Sequence, residues 1–278
     1  MIIRYDIGIV ETRNIIKTIF DTYGYDFRDY ALTSFKRRLE DVITENGLRD
    51  ADGLIYRLQN NKDFFDSFLK EITPETTEMF RDPSLWRTLR DDILLDIVKS
   101  STNKPKIWIA NFDSGEELYS LHIILKELHL LESVQVYLSY MSESVKKKVL
   151  SGRIDQKQTE VNEANYERTN GQHKFGEYFT SSPMGTFFDT SLLSGVTFTK
   201  QDTFFTNPPG GIKLLLFRNQ TIYYNQSHQD KALGNLHDSL VAGGFLALGT
   251  RETLDNTNIN HKFTVVNDPD KIYKKKTG

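Results

Sequence analysis

The sequence predicts a mostly parallel β-sheet with helices on both faces, preceded by a helical stretch. Three observations predict it. The first hundred residues carry their apolar side chains at helical spacing. From Lys106 onward, short apolar runs alternate with longer amphipathic stretches. Polar or glycine breakers fall between them, as in α/β proteins. The length of 278 residues suits one large domain, or a small one joined to a medium one. We expect a helical N-terminal domain over residues 1–100 and an α/β domain over 101–278.

The elements follow in order. The run Tyr30 to Ile43 places Ala31, Phe35, Leu39 and Val42 on one face of a helix. A second helix runs through Leu54, Ile55 and Leu58, and a third holds Phe64, Phe65, Phe68 and Leu69. Asp82-Pro83-Ser84 reads as the N-terminal cap of a fourth, which carries Leu85, Trp86, Leu89, Ile93, Leu94 and Ile97. Ser100 to Pro105 is a polar breaker. Lys106 to Ala110 is a strand, Gly115 to Leu131 a helix, Val134 to Tyr140 a strand, and Ser142 to Leu150 a helix stopped at Gly152. From Asp155 to Gly195 the chain is polar and irregular, either a small inserted β-unit or a long loop. Val196 to Thr199 and the apolar run Ile212 to Phe217 are strands, the latter of the buried parallel kind. A helix from Gln226 to Val241 is expected to stop at Ala242-Gly243-Gly244. Phe245 to Leu248 and His261 to Val266 are the last strands, and Lys274-Lys275-Lys276 reads as a solvated tail.

Composition narrows the function. Hydrophobic residues at 38% and charged residues at 26% allow an ordinary core and a polar surface. The net charge of -3 argues against nucleic acid as the main partner, because phosphate binding needs a basic excess. The absence of cysteine excludes disulfides, thiolate metal sites and cysteine nucleophiles. No apolar run approaches the roughly 20 residues of a membrane span, and the acidic start lacks a signal peptide's apolar core. The reading is therefore of a cytoplasmic protein without membrane insertion. Two sequons, Asn219-Gln220-Thr221 and Asn225-Gln226-Ser227, are read as chance.

In doubly wound sheets, ligands sit beyond the carboxyl ends of the strands. The loop after the first strand is Asn111-Phe112-Asp113-Ser114-Gly115-Glu116-Glu117. Gly115 allows a tight entry into the helix, where free amides can meet a ligand, and the two glutamates suit the helix dipole. Simple capping by Asp113 or Ser114 explains the same residues. Asn207-Pro208-Pro209-Gly210 is read as a turn. The six histidines lack a metal spacing, and His122 and His129 are placed at a surface or core edge of one helix.

Five segments in order resemble the CheR family of chemotaxis-receptor glutamate methyltransferases, which use S-adenosylmethionine (SAM). Ile109-Ala110-Asn111-Phe112-Asp113-Ser114-Gly115-Glu116-Glu117-Leu118-Tyr119-Ser120 is similar to that family's "A-G-C-S-T-G-E-E-P-Y-S". Tyr23-Gly24-Tyr25-Asp26-Phe27, followed by Lys36-Arg37-Arg38, resembles its N-terminal helical domain. Thr77-Glu78-Met79-Phe80-Arg81-Asp82-Pro83 resembles "T-x-F-F-R-D-P". Phe217 to Tyr224 resembles "C-R-N-V-L-I-Y-F", and Leu240 to Leu254 resembles "L-x-P-G-G-Y-L-F-L-G-H-S-E-T-L".

The resemblance implies a class I SAM-methyltransferase-like doubly wound sheet, a helical N-terminal domain, and a small β-subdomain inserted at about 155–195. It implies SAM as cofactor, between the Thr77–Arg81 segment and the strand ends. Thr77, Arg81, Glu116, Glu117, Arg218 and Asn219 match family positions at or near the cofactor. Arg81 would meet the methionine carboxylate, and Thr77 would help orient the cofactor. Gly115, Tyr140 and Asp202 stand at the corresponding strand-end loops, and Tyr224 would lie near the acceptor. In the family the basic helix faces an acidic receptor bundle, so Lys36, Arg37 and Arg38 are the expected contact to a protein partner, a chemoreceptor or other signalling protein; the alternative is a solvated helix face.

Departures from the family pattern bear on activity. Glu75 stands for an asparagine, Asn111 for a glycine, Phe112 for a cysteine and Lys213 for an aspartate. Asp202-Thr203-Phe204 stands for "N-L-L". The family's "A-T-D-I-D" after the second strand reads Leu138-Ser139-Tyr140-Met141-Ser142, so Tyr140 occupies the place of the ribose-binding acid. Losing such an acid removes charged hydrogen bonds worth roughly 1.5–3 kcal/mol. Glu143 could reach back to that place, or serve only as a cap-box acid. Two readings stay open: a SAM-dependent methyltransferase acting on protein glutamates, or a CheR-like binding or scaffold protein that no longer binds SAM. Methyl transfer to an ionised carboxylate needs no general base, which accounts for the lack of a catalytic dyad.

Overall fold

The computed structural model describes residues 5–73, 78–112 and 115–277. Four helices open the chain: α1 (Ile9–Tyr23), α2 (Leu32–Glu45), α3 (Ala51–Asn60) and α4 (Lys62–Ile72). Each start has a local cause. Glu11 accepts a bond from the Gly8 amide at the head of α1, Asp50 caps Gly53 in α3, and Asn61 caps Phe64 in α4. Then come α5 (Pro83–Thr88), a π-helical turn (Leu89–Ile93) and α6 (Leu94–Lys99).

Strand and helix alternate from there: β1 (Lys106–Ile109), α7 (Glu116–Glu127), β2 (Gln135–Tyr140) and α8 (Glu143–Ser151). Next lie β3 (Arg153–Ile154), α9 (Thr159–Arg168), β4 (Phe179–Ser182) and β5 (Gly185–Phe188). The chain closes with β6 (Thr197–Lys200), β7 (Ile212–Leu216), α10 (Gln226–Ser239), β8 (Leu240–Ala247), β9 (Phe263–Asn267) and β10 (Ile272–Lys275).

Seven strands form one sheet in the order β6-β2-β1-β7-β8-β10-β9. The first five are parallel, while β10 runs antiparallel to both β8 and β9. The chain leaves β1 toward β2 and β6, then returns to pair β7 on the other side of β1. That reversal is the switch point at which doubly wound sheets hold ligands. A separate three-stranded antiparallel sheet, β3-β5-β4, lies between β2 and β6 in sequence.

The sheet parts the core in two, because successive side chains point to opposite faces. Trp108, Leu215 and Leu246 share one cluster with α1–α4 and α10. Ile107, Ile109, Leu214 and Leu216 share the other with α5, α6, α7 and the segment around the small sheet. Thus α5 and α6 pack with β1 and α7, not with α1–α4.

The fold class is the expected one, with local corrections. The polar stretch after Asp155 is not irregular throughout, since α9 occupies ten residues of it. Its sequence is too polar for an apolar stripe. It is held instead by two asparagines: Asn162 Oδ1 accepts from the Met79 amide at 2.8 Å, and Asn165 Nδ2 donates to the Met79 carbonyl at 3.1 Å. Gly243-Gly244 does not stop a helix. α10 ends at Ser239, and both glycines lie within β8, where a register shift against β7 accommodates them. Lys274 and Lys275 belong to β10, and Lys275 Nζ donates to the carbonyls of His237 and Leu240 at 2.9 and 2.8 Å. His122 is buried in the core, and His129 lies beyond α7 with φ of 57°.

Candidate functional site

The carboxyl ends of β1, β7 and β8 converge on a buried charge cluster. Glu117, in the first turn of α7, faces Arg218, two residues past β7, with 2.7 Å between Oε1 and Nη1. The second Arg218 amino group meets Asp82 at 2.6 Å and the Arg81 carbonyl at 3.0 Å. Arg218 and Glu117 are each 1% exposed in their side chains. The other Glu117 oxygen accepts from Asn111 Nδ2. Burial raises the Glu117 carboxyl above its ordinary range, against the opposing pull of Arg218. For Arg218, burial opposes the charge, but Glu117 and Asp82 outweigh it and hold the guanidinium ionised.

Asp82 therefore does not cap α5 with its side chain, as local sequence suggests. It sits at φ of 58° and spends its carboxylate on Arg218, 136 residues away. Arg81 is half-buried beside this cluster, and its guanidinium makes no hydrogen bond to another described residue.

Gly115 opens α7 at φ of 106°, where an added Cβ would lie 3.0 Å from the Tyr119 ring. Glu116 follows it and is half-buried. Asp113, Ser114, Glu75 and Thr77 lie outside the described residues.

Asn219 adopts φ of 58° and donates its amide to Glu252 Oε2 at 2.7 Å. Glu252 also accepts from the Gly249 amide at 2.6 Å, the Thr221 amide at 2.7 Å and the Thr221 hydroxyl at 2.8 Å. This carboxylate shapes the loops after β7 and β8, and only Gly fits at 249, where a Cβ would lie 2.6 Å from Asn219 Oδ1. Reading for cofactor contacts passed over Glu252. The signal was its place in the Leu240–Leu254 segment that carried the resemblance.

The remaining expected residues lie apart. Tyr140 ends β2, with its ring under Lys146 at 4.9 Å and Glu143 in the first turn of the helix that follows. Burial first, and then Glu143, raises the Tyr140 phenol above its ordinary value. Asp202 accepts from the amides of Phe204 and Thr206 and so builds the turn after β6. Tyr224 is 4% exposed, packed on Tyr30 at 5.1 Å and His228 at 4.1 Å between ring centroids. Burial pushes its phenol well above the ordinary range. Between these groups Phe112 and Phe205 stack at 5.2 Å and Phe217 meets Phe205 edge-on, within the core beneath the switch point.

The chemistry of the donor set fits SAM. The half-buried Arg81 suits its carboxylate. Arg218 Nε and Asn219 Nδ2 are buried donors without a partner among the described residues, available to a polar group of a ligand. At the end of β2 the Tyr140–Glu143 pair is the polar group on hand for ribose hydroxyls.

Comparison with known proteins agrees with this geometry. Residues 75–272 match the family model described as "CheR methyltransferase, SAM binding domain", and residues 11–73 match "CheR methyltransferase, all-alpha domain". A Pseudomonas putida protein named as a methyltransferase, Cher3, is 31% identical over 96% of this chain and 97% of its own length. The chemotaxis protein methyltransferase of Listeria innocua is 24% identical over 84% of this chain and 86% of its own. On these matches the chain belongs to the CheR methyltransferase family, with S-adenosylmethionine as its cofactor.

Proposed function

We propose that this protein transfers a methyl group to glutamate carboxylates of a protein in a signalling system. The observation that carries the reading is the half-buried Arg81 guanidinium, without a hydrogen bond to a described residue, beside the Glu117–Arg218 pair at the strand ends. A cation left uncommitted next to committed charges is available to a ligand carboxylate. Bound SAM supplies an electrophilic methyl on a sulfonium. Transfer of that methyl to an already ionised carboxylate would need no side chain to take a proton. The side chains then have to position and to exclude water.

That division of labour suits the residues present. Glu117 is engaged by Arg218 and Asn111, so it orients the loop instead of acting as a base. Phe112, Phe205 and Phe217 pack in the dry core beneath the strand ends. Names of relatives support the signalling context, since the Listeria and Pseudomonas aeruginosa relatives are chemotaxis protein methyltransferases.

Calorimetric titration with SAM and with S-adenosylhomocysteine tests the reading, followed by transfer of labelled methyl to a glutamate-bearing acceptor. We expect micromolar binding, and its abolition by Arg81→Ala. Unchanged affinity in Arg81→Ala would sink the Arg81 assignment. No binding at millimolar ligand would favour the scaffold reading, for which Tyr140 in place of an acid is the supporting observation.

A further inference from the structure

Glu252 lies in the loop after β8 and is 3% exposed. Methyl transfer makes no chemical use of it. Its Oε1 accepts from the amide and the hydroxyl of Thr221, at 2.7 and 2.8 Å. Its Oε2 accepts from the amides of Asn219 and Gly249, at 2.7 and 2.6 Å. A carboxylate has about four acceptor positions, and four donors meet this one, so it has none to spare for a ligand. All four donors are neutral groups on the loops after β7 and β8.

The consequence falls on Asn219. Its φ of 58° lies in the left-handed region, which is costly for most residues and less so for asparagine. The amide bond to Glu252 fixes that conformation just past β7. Gly249 makes room for the side chain, since a Cβ there would lie 2.6 Å from Asn219 Oδ1 and 2.8 Å from Glu252 Oε2. The carboxamide is thus set against the loop after β8, with a buried Nδ2 that has no partner among the described residues. An unsatisfied buried donor is costly, so one kept at the switch point is a donor kept for a ligand. Asn219 also follows directly on Arg218, which is bonded to Glu117, Asp82 and the Arg81 carbonyl. Thr250, beside Gly249, reaches the same Asp82, at 3.4 Å between hydroxyl and carboxylate.

We propose that Glu252 is a positioning residue for cofactor binding. It holds Asn219 in the left-handed conformation that turns Nδ2 toward SAM, and it acts on the ligand only through Asn219. The proposal rests on the methyltransferase reading, which makes SAM the ligand. The plainer role for such a carboxylate is to staple two loops together. A staple alone would stabilise the fold and leave the contribution of Asn219 to affinity independent of residue 252. The two roles differ in one measurable quantity, the coupling between Asn219 and Glu252 in ligand affinity.

The experiment is calorimetric titration of S-adenosylhomocysteine into the full chain, as wild type, Asn219→Gly, Glu252→Gln and the double variant. Glycine is chosen at 219 because alanine would be strained at a φ of 58°. Glutamine keeps the size of Glu252 and replaces an accepting oxygen by a donor. We expect each single variant to bind roughly tenfold more weakly, and the double variant to lose no more than that. Unchanged affinity in either single variant, or a roughly hundredfold loss in the double variant, as for independent sites, would overturn the proposal. Circular dichroism checks that the variants fold. If Glu252→Gln does not, the wild type still decides. By linkage, S-adenosylhomocysteine should slow hydrogen exchange at the Asn219 and Gly249 amides, and equal exchange with and without it would overturn the proposal. A wild type that binds neither SAM nor S-adenosylhomocysteine removes the methyltransferase reading as well. Binding by the wild type with an additive cycle removes the role of Glu252 alone.

Discussion

Arg218 shows how one residue can hold several strand ends together. Its charge is buried and tolerable only because Glu117 and Asp82 flank it. Removing one partner of a buried pair leaves an uncompensated charge, which costs about 3–5 kcal/mol. We expect Glu117→Ala to lower the unfolding free energy read from urea melts by an amount of that order, with Glu117→Gln in between. An unchanged midpoint would mean that Asp82 alone neutralises Arg218. The sequence could show that Glu117 and Arg218 matter, because both stand in segments resembling a known family. It could not show that they meet, since 101 residues separate them. For the same reason Asp82 read as a local cap, although its real partner is equally remote. At the basic run around Lys36, adjacency in sequence counts charges but does not reveal that Asp6 and Glu40 pair with Lys36, or that Arg38 donates to the Ile72 carbonyl.

At the scale of elements, strands and apolar helices were legible and polar ones were not. β7 reads directly as Ile212–Leu216 because all its side chains but Lys213 are buried on one side of the sheet or the other. α9 does not, because side-chain amides hold it where an apolar stripe would be expected. A neighbouring polar device ties α7 to α9 and to the turn before β4. Buried Glu127 accepts from the hydroxyls of Tyr166 and Tyr178 at 2.5 and 2.8 Å. α7 also carries a titratable core residue. His122 Nδ1 donates at 2.9 Å to the Leu118 carbonyl one turn back, and burial pushes its imidazole down to about 4. An unfolded histidine titrates near 6.5, so below that pH the unfolded chain binds a proton that the folded chain refuses. Stability from this residue is full above about pH 6.5 and is lost as pH falls toward about 4, by roughly 3 kcal/mol in all. Wild type and His122→Leu should therefore converge in denaturant midpoint, the wild type losing more between pH 7 and pH 4.5. Parallel pH profiles would contradict this.

Across the whole molecule, the N-terminal helices are fastened to the strand ends by a few polar contacts. Asp66 of α4 accepts from the amides of Glu143 and Ser144 at 2.7 and 2.8 Å, and so caps α8 from a distance. Burial raises its carboxyl, but those amides outweigh burial and hold it below the ordinary value. Tyr25 donates to the Met141 carbonyl, and the Thr203 hydroxyl donates to that of Asp26. We expect Asp66→Ala to cost about 1–2 kcal/mol, as losing a good cap does, and to speed amide hydrogen exchange at Glu143 and Ser144. Unaltered exchange there would show that Ser142, which also caps α8, suffices alone. The two-sided core has an optical consequence. The chain has two tryptophans, both buried, and the sheet puts Trp108 in the cluster with α1–α4 and Trp86 in the other. Each half of the interior thus carries its own fluorophore. Emission from Trp86→Phe reports on the side beneath the N-terminal helices. Emission from Trp108→Phe reports on the side where the Arg218 guanidinium lies 5.9 Å from the Trp86 ring, so a ligand that reorganises that cation would announce itself as a change in colour and intensity.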